Sequence, residues 1–95
     1  MDLDAALRDP DGYVGAFCRA VGEELRARRE AAGMSAYKMA RLAGVSDQAI
    51  LNLEQGAVGK NGPCLGTVIR LCVHLRIRVP ELVLAAAAAA ERKAA

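Results

Sequence analysis

The chain predicts an all-α fold, a bundle of five helices around one core. Three observations carry this. Apolar residues recur at three- and four-residue spacing along successive stretches, glycine or serine stands at the boundaries between them, and no apolar–polar alternation of period two runs long enough for a strand. Aromatic residues are only 3% of the 95 positions, whereas 54% are hydrophobic, much of that alanine. That is enough for a single compact domain.

Taken in order, residues 3–8 can form a short helical turn, which the cluster Asp9-Pro10-Asp11-Gly12 should break. A long first helix is then expected over about residues 13–32, where Val14, Phe17, Cys18, Val21 and Leu25 follow i, i+3, i+4, i+7 spacing. Its N-terminal half needs a cover, either the C-terminal segment of its own chain or another subunit. Gly33 can take the left-handed conformation that ends this helix, and Ser35 can cap the next by accepting a bond from an unpaired backbone N–H.

Met39, Ala40 and Ala43 give the second helix one apolar side, and Gly44 supplies a positive φ at no steric cost. The chain turns there. Val45 should plug inward, Ser46 should cap a third helix, and Ile50 and Leu53 should continue the buried stripe until Gly56 stops it. Residues 57–66, with Lys60, Asn61 and Pro63 among glycines, read as a loop. A fourth helix is expected over about residues 67–75 with Val68, Leu71, Cys72 and Leu75 inward, and Pro80 suits the first turn of a fifth through Leu82 and Leu84. The six alanines that follow, Ala85 to Ala90, have high helix propensity but little area to bury. They form either a helix packed closely on a neighbour or a frayed end. The chain thus divides into an acidic segment (residues 1–12), a helical domain (13–84) and an Ala-rich tail (85–95).

Two helices joined by the short turn Gly44-Val45-Ser46 form a helix-turn-helix pattern, and that pattern points to DNA. On its second helix, Asp47, Gln48, Leu51 and Asn52 lie away from Ile50 and Leu53, because residues three and four apart share a face. Such a face suits a major groove. Gln and Asn amides pair bidentately with adenine, and an aspartate accepts from the cytosine amino group. Leu51 there either touches a thymine methyl or marks a protein contact.

The formal net charge is only +2, but it is unevenly spread. Residues 1–12 carry four aspartates against Arg8, a local charge of −3, which leaves +5 for the rest. Arg19, Arg26, Arg28, Arg29, Lys38, Arg41 and Lys60 lie in or beside the helix-turn-helix, where phosphate neutralisation would drive affinity.

Cys18, Cys64 and Cys72 make no CxxC pair and His74 is the single histidine, so neither a metal site nor a cofactor is expected. Cys18 and Cys72 read as small buried hydrophobes in a reducing cytosol, and Cys64 as a loop residue. No stretch reads as a membrane span or a leader, so a soluble cytoplasmic protein is expected. Catalysis needs a nucleophile and a base in mutual reach. His74 beside Arg70 and Arg78 offers neither, so the chain does not read as an enzyme.

Over roughly residues 21–83 the chain resembles the phage-repressor and Cro type of helix-turn-helix regulators. The residues that carry the likeness are Val21-Gly22, Leu25-Arg26, Arg29, Gly33-Met34-Ser35, Met39-Ala40, Gly44-Val45-Ser46, Ile50, Leu53-Glu54, Gly56, Pro63, Leu65, Thr67, Leu71, Leu75, Ile77 and Leu82. The resemblance implies a five-helix lambda-repressor-like bundle whose third helix docks in the major groove. It implies base contacts from Asp47, Gln48, Leu51 and Asn52. It also implies phosphate contacts from Ser35 and the start of the second helix, and from Lys60 and Asn61 in the loop; Tyr37, Lys38, Arg41 and Ser46 complete that set. Arg29 and Glu54 match an ion pair between the first helix and the end of the third.

The chain departs from the family pattern in four places. Ala36 stands where a phosphate-binding glutamine is common, and Asp47 suits the helix dipole but repels phosphate, which favours specificity over raw affinity. The loop between Gly56 and Pro63 is three residues longer than usual, and Arg76 replaces a glycine after the fourth helix. The reading that follows is a sequence-specific regulator, most simply a homodimeric repressor on a palindromic operator. A protein-interaction module of the same fold, such as an antitoxin masking a partner, would use Leu42, Leu51 and the extra terminal helical segments.

Overall fold

The computed structural model describes residues 3–94 and contains six helices: α1 (Leu3–Arg8), α2 (Pro10–Ala31), α3 (Ala36–Ala43), α4 (Asp47–Gln55), α5 (Leu65–Leu75) and α6 (Val79–Ala94). No strand occurs among the described residues. Helices α2 to α6 are the five expected from the periodicity, and α1 is the N-terminal turn.

The break between α1 and α2 is narrower than the turn cluster suggests. Asp9 alone interrupts the helices. Its carboxylate accepts from the Gly12 N–H at 3.0 Å, and Pro10 occupies the first helical position, where an N–H would have no partner. A Cβ on residue 12 would run into the Asp9 carboxylate, so the glycine belongs to the cap. Pro10, Asp11 and Gly12, read from the sequence as turn, are therefore the first turn of α2.

The core lies between α2, which packs on α4, α5 and α6, and α3, which packs on α4 and α5. Leu25, Met39, Ile50, Leu82 and Cys72, one from each of α2 to α6, are its largest fully buried side chains, with Ala20, Val21, Leu53, Leu71 and Ile77 around them. At the N-terminal end of the α2 stripe, Val14 is 39% exposed, against expectation. It borders an open cleft shared with Val58, Gly59 and Lys60, and Val58 packs instead against the core. Cys18 is likewise only half-buried.

The alanine tail packs on its own chain. Leu82, Ala86 and Ala90 recur every four residues on one side of α6 and are fully buried, and α2 against α6 is the most extensive helix pairing of the fold. Small side chains let the two helices approach closely, so contact is gained through proximity where each alanine offers little area.

Helix α5 starts two residues before its expected position, at Leu65, and ends at Arg76 with φ 57° and ψ 40°. This left-handed cap on a non-glycine residue costs on the order of 1 kcal/mol. The remaining left-handed positions at helix ends, Gly33 beyond α2, Gly44 after α3 and Gly56 after α4, are glycines, as expected.

Candidate nucleic-acid interface

Both helices of the helix-turn-helix are capped by serine. The Ser35 Oγ accepts from the Lys38 N–H at 3.0 Å, and the Ser46 Oγ accepts from the Ala49 N–H at 3.1 Å. Each hydroxyl keeps its own hydrogen for a further acceptor. Between the helices, Gly44 at φ 71° reverses the chain and Val45 packs against the core, which fixes the angle of α4 to α3.

Two contacts clamp the far end of α4 onto α2. The Arg29 Nε and Nη2 donate to the two Glu54 carboxylate oxygens at 2.6 and 2.9 Å, and Nη1 donates to the Met34 carbonyl at 2.7 Å. The Glu54 bonds hold the Arg29 guanidinium above its usual pKa. The second contact is an absence of bulk: a Cβ on Gly22 would overlap the Leu53 carbonyl oxygen and press on Glu54, and one on Gly56 would meet Arg19. Backbone therefore rests on backbone.

With Ile50 and Leu53 buried beneath it, α4 turns Asp47, Gln48, Leu51 and Gln55 to solvent. Asn52 sits lower, half-buried, at the edge of this face. There the Gln48 Nε2 donates to the Asn52 Oδ1 at 2.8 Å. The Gln48 amide keeps its oxygen and one N–H, an acceptor and a donor side by side, which is the pattern an adenine edge requires. Gln55 is a residue the sequence reading passed over. Its place seven residues after Gln48 puts it on the same face, a signal overshadowed by the adjacent stop at Gly56.

Further polar groups are exposed on α3 and in the loop after α4. On α3, Tyr37, Lys38 and Arg41 are exposed; the Arg41 Nη1 donates to the Tyr37 hydroxyl at 2.8 Å, and its guanidinium carbon lies 5.6 Å from the ring centre. Lys60 and Asn61 are exposed in the loop between α4 and α5, with Lys60 lining a cleft beside Asp11 and Val14 of α2. A cleft of about 270 Å³ separates α4 from this loop, lined by Ala49, Asn52, Pro63, Cys64 and Thr67 among others. Cys64 is the residue before α5, exposed, and the Thr67 and Gly66 N–H groups, the Thr67 hydroxyl and the Arg70 charge hold its thiol below its usual pKa.

The basic surface is smaller than the charge count implies. Arg26 and Arg28 bond to Glu30 and Glu24 one turn away along α2, and Arg29 is turned inward. Arg19, Lys38, Arg41 and Lys60 remain exposed, Arg19 lying over Gly56 at the end of α4. Among the described residues no helix is long and apolar enough to cross a membrane.

Comparison with curated proteins and with solved structures gave no match. Residues 20–86 match the model of a helix-turn-helix domain, a span that runs from the buried middle of α2 through the capped pair α3 and α4 to the packed part of α6. The chain belongs to this helix-turn-helix domain family.

Proposed function

We propose that the chain is a sequence-specific DNA-binding regulator of the phage-repressor and Cro type, acting in the cytoplasm without cofactor or catalysis. Helix α4 enters the major groove and reads base edges with Gln48 and Asn52, assisted by Asp47 and Leu51. The observation that carries this reading is the outward amide pair on a helix whose opposite side is buried and whose end is clamped by Arg29. Ser35, Tyr37, Lys38, Arg41 and Ser46 contact phosphates on one side of the groove, and Lys60 and Asn61 on the other.

The simplest functional unit is a homodimeric repressor on a palindromic operator, with two α4 faces in major grooves about 34 Å apart. Selection of bound sequences from a random duplex pool at two salt concentrations tests the reading. A two-fold symmetric consensus that survives at the higher salt is expected. Recovery of unrelated sequences would leave only a polyanion binder. A second reading, a module whose main task is to bind a protein, is favoured by the exposure of Leu42 and Leu51, 47% and 39%. Absence of any retained duplex would favour it.

A further inference from the structure

Helix α5 leaves an apolar stripe in solvent. Leu65 and Val73 are each about two-thirds exposed and Ile69 40%, at i, i+4 and i+8, so they form one continuous row. Exposed Arg70 and His74 lie beside the row, Arg76 stands at its end, and α5 contains no acidic residue. Two α5 helices packed on each other would set Arg70 against Arg70, so an occupant of this stripe has to bring carboxylates.

The chain itself carries a matching surface. Asp4, Asp9 and Asp11 outnumber the exposed Arg8 and leave the N-terminal arm negative, and Leu7 and Val14, on either side of the α1–α2 break, are 68% and 39% exposed. The main packing of α1 is on α2. The arm therefore does not cover the α5 stripe of its own chain. Yet both surfaces border the same loop: Asp11 and Val14 line a cleft with Gly59 and Lys60, and α5 begins just after that loop. A closed two-fold contact needs two complementary surfaces on each copy, and the stripe and the arm are such a pair.

We propose that two copies of the chain exchange N-terminal arms, with the acidic, Leu7-bearing arm of each docked on the Leu65–Ile69–Val73 stripe and Arg70 of the other. The arm and the start of α5 both adjoin the loop that follows α4. The exchange supplies the interface that the dimeric reading above requires, and it is tested without DNA, so its failure leaves single-copy DNA binding standing.

The test is sedimentation velocity of the full chain at low salt, on the wild type, on Arg70→Glu, on Asp11→Arg, and on an equimolar mixture of the two variants. Circular dichroism checks that each is folded. The wild type is expected to dimerise, and each single variant to associate about tenfold more weakly, because both contacts in its homodimer then oppose like charges. In the mixture every contact pairs opposite charges again, so association is expected to return. A monomeric wild type, single variants that dimerise as well as the wild type, or a mixture no tighter than its components would each overturn the proposal.

Discussion

Arg29 grips both carboxylate oxygens of Glu54, and only 12% and 6% of the two side chains remain exposed. Twenty-five residues apart in the chain, they hold the end of α4 against α2. Removing one partner strands a charge in a water-poor site, so Glu54→Ala is expected to lower stability by about 3 kcal/mol, measured by urea denaturation. Replacing both, Arg29→Met with Glu54→Leu, should cost clearly less than the sum of the single changes. A double variant as unstable as that sum would mean that the two side chains act independently.

The approach of α2 to α4 depends on Gly22. Alanine there would overlap the Leu53 carbonyl, and backbone cannot swing aside as a flexible side chain does. Gly22→Ala is therefore expected to destabilise by about 1–3 kcal/mol. Thermal unfolding within 1 °C of the wild type would show that the helices have room to separate.

Arg76 closes α5 in the left-handed region at φ 57°. Glycine adopts this conformation without the Cβ clash but also loses more freedom on folding, and the two effects leave a net gain of at most about 0.5 kcal/mol for Arg76→Gly. A loss of stability in the same denaturation experiment would point to a contact of the Arg76 side chain worth more than the strain.

The three thiols should separate by reactivity. Cys64 is exposed and its thiolate is favoured by the Thr67 and Gly66 N–H groups, whereas burial pushes the Cys72 thiol up and closes it to reagents. Iodoacetamide on the native protein should modify Cys64 first and Cys72 only after unfolding, read by peptide mass spectrometry. Modification of Cys72 at the Cys64 rate would contradict the packing of α5.

Most of the helical frame was legible in the sequence because its signals are local. Ser35, Ser46, Gly44 and Gly56 mark boundaries through cap chemistry that needs no distant partner, and the spacing of Met39, Ala40, Ile50 and Leu53 states which side is buried. The misjudged boundary at Pro10–Gly12 arose because the same residues make a turn or a capped helix start, and only Asp9 accepting from the Gly12 N–H decides between them. The Ala85–Ala90 run was ambiguous for another reason: whether alanines pack depends on a neighbour brought close by the rest of the chain, here α2. On α4 the outward set was readable from periodicity, but the Gln48–Asn52 bond and the lower seat of Asn52 depend on rotamers and on the loop beyond Gly56.

Base readout and phosphate contact make different demands on salt and sequence, and comparing Gln48→Ala with Lys60→Ala separates them. The decisive measurement is fluorescence anisotropy of the wild type and both variants on the selected duplex and on a scrambled one, across a salt series. Gln48→Ala is expected to lose about 1–3 kcal/mol on the selected duplex only, and Lys60→Ala to weaken both duplexes alike with a salt slope smaller by about one. Equal losses for the two variants on both duplexes would contradict base reading by α4.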